Sequence, residues 1–298
     1  MSNPPSGILL LDKPVGLSSN AALGRAKRLL GIRKAGHTGT LDPMASGLLV
    51  LCFGEATKVA GFLLDGDKTY LAEVRLGIST ETDDAEGEMV ERRPVPELSD
   101  EDLERVLAGF RGAIEQVPPM YSALKRDGQR LYQLARRGEV VDRPPRAVTI
   151  HELILLARDG EHLSLRVRCS KGTYIRSLAR DLGEELGCGA HMSALRRTRS
   201  DPFDLDDAIE LAALEALESE AARGRLLPPD TALQHLPAVQ LESEDTERLL
   251  MGQRLSGLPG ETVEGLARIY GHQGFLGIGE ADGRGGLKPK RLFRLALD

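Results

Sequence analysis

The chain has no tryptophan, three cysteines and six histidines in 298 residues. Cys52, Cys169 and Cys188 form no Cys-x-x-Cys pair, which argues against a disulfide framework and a cysteine zinc site. No two histidines stand four apart, so the helical two-histidine metal site is missing too. Nothing in the pattern asks for a metal or any other cofactor. No apolar run approaches the roughly 20 residues that a helix needs to cross a bilayer. Residues 1–7 lack the basic and long apolar segments of a secretory signal. A cytoplasmic protein with no membrane contact is therefore expected. There is no long internal repeat and no low-complexity tract.

Hydrophobic residues at 41% with 28% charged residues are ordinary for a soluble globular protein. The length allows one large or two ordinary domains. A net charge of −6 argues against indiscriminate adhesion to nucleic acid, but the charge is segregated. Residues 25–34 carry Arg25, Lys27, Arg28, Arg33 and Lys34 with no acid, and residues 284–294 carry Arg284, Lys288, Lys290, Arg291 and Arg294 with none. Residues 121–146 hold seven basic and three acidic side chains, whereas residues 201–220 hold eight acids and no base. Such sorting suits one face for a polyanion and another for solvent.

Ile8-Leu9-Leu10-Leu11 reads as a short buried strand ending at Asp12-Lys13-Pro14. A helix follows, capped by Ser18 or Ser19, with Leu23, Ala26 and Leu30 on its buried stripe and Gly31 just past its end. Tyr70, Ala72, Val74 and Leu76 alternate as one face of a half-buried strand with Tyr70 at its mouth. Residues 79–96 are polar and predict a loop or ribbon. Ser99 opens a helix through Leu103, Val106, Leu107 and Phe110. Strands are expected over Val148 to Leu156 and Leu163 to Cys169, joined at Asp159-Gly160. Gly172-Thr173 then opens a helix with Ile175, Leu178, Ala179, Leu182 and Leu186 at helical period, ended by Gly187. Residues 207–221 predict an acidic helix, and Leu226 to Pro237 a linker. Beyond residue 238 glycine is dense and apolar patches are short, which suggests a small β-rich domain.

The most informative stretch is Gly36-His37-Thr38-Gly39-Thr40-Leu41-Asp42-Pro43. Its glycines permit backbone angles closed to other residues, and Pro43 biases Asp42 toward extended backbone. The pattern reads as a rigid turn that carries one carboxylate, anchored by the apolar run Leu48 to Phe53. From spacing alone it could be only a tight turn.

This stretch, with Ala45-Ser46-Gly47 and Gly54-Glu55-Ala56-Thr57-Lys58 after it, resembles the signature of the TruB family of tRNA pseudouridine synthases. Leu11-Asp12-Lys13-Pro14 before it resembles the family's opening motif. Asp67-Lys68-Thr69-Tyr70, Gln116-Val117-Pro118-Pro119-Met120-Tyr121-Ser122-Ala123, Lys171-Gly172-Thr173-Tyr174-Ile175-Arg176 and Leu195-Arg196-Arg197 follow in the family's order. Val50 departs from the pattern, since many members carry proline there.

The resemblance implies an α+β fold, with a mixed, mostly antiparallel sheet flanked by helices over residues 1–237. Residues 238–298 would form a PUA-like RNA-binding domain. It implies isomerisation of uridine 55 in the T-loop of tRNA, without cofactor or obligate protein partner. Asp42 would be the catalytic carboxylate, Arg176 its partner, and Tyr70 the residue that stacks on the uracil. Tyr174 and Leu195 would line the pocket, with Lys13 supporting the site from the neighbouring loop. Asp84 would contact the displaced RNA, and His37 would fill the space left by the extruded base. Without the resemblance, Arg176 reads as a surface arginine, Tyr70 as an aromatic closing the core, and Asp84 as part of a solvated acidic loop. Two other readings fit the same likeness: a tRNA-folding factor, and a synthase that takes its target from a guide RNA. The intact set Asp42, Tyr70 and Arg176 favours a stand-alone enzyme.

Overall fold

The computed structural model describes residues 5–294 apart from 122–124, 127–128, 131–136, 138–140 and 259–262. Ser122 and Ala123 and much of the basic 121–146 segment thus lie outside the described residues. One mixed sheet organises the first three quarters of the chain. Its strands are β1 (Gly7–Lys13), β2 (Ala35–His37), β3 (Ser46–Phe53), β4 (Lys68–Leu76) and β7 (Gly112–Gln116), with β5 (Ile78–Thr80) and β6 (Met89–Arg92) set apart as a ribbon. Beyond the short pair β8 (Lys125–Arg126) and β9 (Gln129–Arg130) come β10 (Arg146–Asp159), β11 (His162–Cys169), β12 (Ala190–Ser200), β13 (Phe203–Asp204) and β14 (Ile209–Glu210). The main order is β14-β1-β3-β12-β4-β11-β10-β7. Only β1 with β14 and β12 with β3 run parallel; the other pairs are antiparallel. A second sheet, ordered β15 (Ala238–Gln240), β16 (Glu264–Gly271), β17 (Gly274–Asp282) and β18 (Leu287–Leu292), builds the C-terminal region. The fold class is α+β, as expected.

The first helix and the one after Ser99 start where the sequence signals them. Helix α1 (Ser19–Leu30) is capped by the Ser18 side chain and ends at Gly31 in left-handed conformation. After the short α2 (Ala60–Asp65), α3 (Asp100–Gly109) opens with a capping box between Ser99 and Asp102. Helix α4 (Ile175–Glu185) begins two residues later than Gly172-Thr173 suggests, because Tyr174 is still extended. Leu23, Ala26, Leu30, Leu103, Leu107, Leu178 and Leu182 from these helices join Ala72, Val74 and Leu165 in one core over the sheet.

Three local expectations need correction. Gly36 and His37 lie in β2, paired with β3, so the turn proper starts at Thr38. Residues 207–221 form β14 and two short helices, α5 (Leu211–Glu215) and α6 (Ser219–Arg223), because each run of Ala and Leu is too brief to propagate. The 226–237 stretch is not a free linker. Leu227 exchanges backbone hydrogen bonds with Ile8 at 2.8 Å in each direction, and Ala232 and Leu233 are buried.

That segment helps to build a second core in which Leu10, Val50 and Leu63 meet Ile278 of the C-terminal sheet and Phe293 just after its last strand. Glu55 ties this junction. Its carboxylate accepts from Lys34, Lys58 and the Arg294 backbone N–H, while Lys58 also donates to the Leu292 carbonyl and Arg291 donates to the Lys58 carbonyl. Burial pushes the Glu55 carboxyl up, but these donors outweigh it and bring the group down to about 2 from 4.5. Its contribution to stability is complete above pH 4.5 and disappears as pH falls toward 2. Glu55→Gln is therefore expected to lower the thermal midpoint at pH 7, by a margin that narrows below pH 4.5. A pH-independent difference would contradict this account of the junction.

Candidate active site

The Asp42 turn is held on three sides. The Ser19 hydroxyl at the start of α1 donates to the Leu41 carbonyl at 2.9 Å and accepts from the Leu41 N–H at 2.8 Å. The Gly16 N–H reaches the Pro43 carbonyl at 2.7 Å. On the sheet side, Thr38 N–H bonds the Val50 carbonyl at 3.0 Å, and Arg197 donates to the Gly39 carbonyl at 3.2 Å. Val50, at the unusual position, is thus an ordinary strand residue that supplies an acceptor.

Asp42 points from this turn at Arg176. Oδ2 of Asp42 lies 3.1 Å from a guanidinium nitrogen of Arg176. The Arg176 side chain is 6% exposed and that of Asp42 35%, so the cation is enclosed while the carboxylate keeps an open edge. Behind Arg176 sits Asp84, 3% exposed and 3.2 Å from the other guanidinium arm. Asp84 also accepts from the Thr82 hydroxyl and from the Glu86 N–H at 3.0 Å. The two terminal nitrogens also donate to the Thr82 carbonyl at 3.2 Å and the Tyr121 carbonyl at 2.8 Å. Burial pushes the Asp42 carboxyl up from its ordinary value; Arg176 opposes that shift, Asp84 adds to it and Lys13 opposes it.

Arg176 projects from the first turn of α4, where a cation is unfavourable to the helix dipole and two carboxylates compensate it. Gln116 from β7 fixes that helix start, giving its side-chain amide to the Tyr174 carbonyl at 3.0 Å and accepting the Tyr174 N–H at 2.8 Å. Ser177 and Arg180 donate to the Val117 carbonyl, and Arg180 pairs with Asp83 at 3.1 Å. The Gln116–Tyr121 motif thus works as backbone support for Arg176.

Tyr70 and Leu195 are both 9% exposed, on β4 and β12. Burial raises the Tyr70 phenol, and the Arg197 charge acts against it. The aromatic therefore both closes the core and faces the site's charged groups. His37 ends β2 with Nδ1 buried and without a hydrogen-bond partner among the described residues; burial and then Arg197 lower its pKa, which favours the neutral ring. Asp84 faces the guanidinium and not solvent, so it meets the site through Arg176. Lys13 is the last residue of β1, not a loop residue, and is fully buried. It donates to the carbonyls of Pro14 at 2.8 Å and Leu17 at 2.6 Å. Ser19, Gln116 and Arg197 were not singled out by sequence reasoning as site supports. Only the position of Arg197 inside Leu195-Arg196-Arg197 signalled it. Among the described residues no group of three His, Cys, Asp or Glu could hold a metal ion, and no helix is long and apolar enough to cross a membrane.

The comparisons give the class, the pseudouridylate synthases. Residues 27–175 match the TruB family pseudouridylate synthase N-terminal domain, residues 176–234 the tRNA pseudouridylate synthase B C-terminal domain, and residues 237–293 the pseudouridine synthase II TruB C-terminal region. The tRNA pseudouridine synthase B of Aromatoleum aromaticum is 56% identical over 286 residues, covering 96% of this chain and 92% of that one. The protein of the same name from Chromohalobacter salexigens is 52% identical over 294 residues, with 98% and 96% covered. A solved chain of a Cbf5-Nop10-Gar1 complex superposes with TM-score 0.73 at 28% identity, over 99% of this chain and 87% of that one. The chain belongs to the TruB family: it is a tRNA pseudouridine synthase, an isomerase that converts uridine to pseudouridine.

Burial pulls the Lys13 ammonium down to about 8 from 10.5, with Asp42 opposing and Arg197 adding to the shift. Such a lysine holds its proton less tightly folded than unfolded, so its burial costs stability below about pH 8 and the cost fades toward pH 10.5. The thermal midpoint of wild type relative to Lys13→Met is expected to move in favour of wild type between pH 7 and 10. A constant difference would place the ammonium in a wetter setting than the fold gives it.

Proposed function

We propose that the chain isomerises uridine 55 in the T-loop of tRNA with Asp42 as the essential carboxylate. The observation that carries this reading is the Asp42–Arg176 pair: a carboxylate 3.1 Å from an enclosed guanidinium, with its own edge open to solvent. Pseudouridine formation breaks the bond from ribose C1′ to N1, turns the base and rejoins it through C5. It is redox neutral and needs an ionised carboxylate beside an electron-poor sugar carbon, as glycoside hydrolysis does. Asp42 either attacks C1′ or removes a sugar proton, and both routes use the charged form that Arg176 favours. Tyr70 stacks on the uracil and handles the C5 proton, Tyr174 and Leu195 wall the pocket, and Lys13 adds positive charge behind Asp42. Asp84 acts as orienter of Arg176.

The target base must leave its stack, which costs a few kcal/mol. A neutral His37 suits the vacated space, since an apolar ring face stacks without a solvation penalty. Phosphate contacts from the basic α1 face and the C-terminal cluster offset the cost. Residues 1–237 then carry the chemistry and residues 238–298, as a PUA-like unit, bind RNA; the start of the second sheet at Ala238 supports that division. Identity of 52–56% to proteins named for tRNA, against 26–28% to chains of Cbf5 and H/ACA particles, supports a free tRNA substrate over a guide-RNA particle.

Asp42→Asn is expected to abolish conversion while tRNA affinity stays within about tenfold, roughly 1.4 kcal/mol, because mainly transition-state contacts are lost. Mapping of pseudouridine by the mass shift of a pseudouridine-selective chemical adduct in unmodified tRNA, with no cofactor added to the enzyme, reads the result. Turnover retained in that variant, or a modified nucleotide elsewhere than the T-loop in wild type, would overturn the reading.

A further inference from the structure

Arg197 is the largest side chain buried to within 2% of full enclosure, itself 1% exposed. Enclosing a cation costs several kcal/mol even after relaxation, and proteins usually recover this with a carboxylate. Arg197 has other partners. Its Nε donates to the Leu48 carbonyl at 2.7 Å and a terminal nitrogen donates to the Gly39 carbonyl at 3.2 Å, and its charge acts on the Tyr70 phenol. Its strand, β12, lies between β3 and β4, with Arg197 opposite Gly47 on one side and Tyr70 on the other. The backbone is cut to fit. At Gly47, φ is +99° and a Cβ would stand 2.3 Å from the Arg197 carbonyl oxygen; at Gly39, φ is +120° and a Cβ would stand 3.3 Å from the guanidinium.

We propose that Arg197 is a positioning residue for the isomerisation, a buried cross-brace whose guanidinium fixes the Asp42 turn to the Tyr70 strand and holds the phenol oxygen. Three elements that move independently in sequence thereby become one rigid unit: the turn through Gly39, β3 through Leu48, and β4 through Tyr70. The cation also faces Lys13, Lys68 and His37, whose protonated forms it disfavours. Placing it there with no carboxylate in ion-pair range among the described residues is costly unless it serves the reacting groups.

The inference rests on the proposed role of Tyr70, so its test includes a readout that needs no turnover. In chain labelled with 13Cζ-tyrosine, one of five signals belongs to Tyr70 and is identified by its loss in Tyr70→Phe. In both Arg197→Met and Arg197→Lys at pH 8 that signal is expected to shift while the others hold. Single-turnover conversion of a T-arm RNA is expected to fall at least tenfold, with KM within threefold; Lys, which keeps the charge, loses less than Met. Should Arg197→Met fail to fold, Arg197→Lys decides. An unmoved Tyr70 signal, a rate within threefold of wild type, or a loss confined to KM would overturn the inference. Absence of pseudouridine with the wild-type chain would instead overturn the functional reading and leave the tyrosine signal as the measure of the brace.

Discussion

The whole site turns on where Arg176 is put. A guanidinium enclosed at the start of a helix must be compensated, and it is shared between two carboxylates of unequal exposure. Asp84 is sealed behind it with its own donors, so that pair is a fixed structural element. Asp42 takes the opposite arm and keeps an edge open. The asymmetry separates the two acids by environment: one is sealed against the arginine and the other keeps an exposed edge. Removing one partner of a buried pair leaves an uncompensated charge and costs on the order of 3–5 kcal/mol. The sheet and helices can be understood as the frame that delivers these three side chains from loops and elements far apart in sequence.

That frame explains why the motifs fall where they do. Residues 116–121 give a backbone carbonyl to Arg176 and a side-chain cap to α4, so their contribution is to hold one cation still. The opening motif contributes a buried lysine and the Gly16 bond to Pro43. Leu195-Arg196-Arg197 supplies an ion pair from Arg196 to Asp12 at 2.6 Å and the Arg197 hydrogen bonds to the Leu48 and Gly39 carbonyls. Each stretch is legible as chemistry only once the sheet has aligned β3, β12 and β4.

Much of the fold was readable from periodicity and caps. Ser18, Gly31, Ser99 and Gly187 mark helix ends by local physics, and the alternation from Tyr70 to Leu76 marks a strand regardless of its partners. Failures came where long-range contacts decide. Leu226 to Pro237 has the composition of a linker, yet pairing of Leu227 with Ile8 and burial of Leu233 make it part of a core. The acidic 207–221 stretch has helical composition, but Ile209 and Glu210 are taken by β1. At the site, Asp42 and Arg176 were legible through resemblance. The burial of Asp84, Lys13 and Arg197 was not, because no local pattern marks a charged residue for the interior; only the pairing across the finished sheet does.

The central claim is that Arg176 opposes the upward shift that burial imposes on the Asp42 carboxyl, and so favours its charged form. Titration of the Asp42 side-chain carboxyl carbon by NMR, in wild type and in Arg176→Gln, tests this most directly. The account predicts that Asp42 titrates at clearly higher pH once the guanidinium is gone, since burial and Asp84 then act unopposed by it. A midpoint unchanged between the two chains would mean that the arginine does not govern the charge of Asp42, and the account would fail.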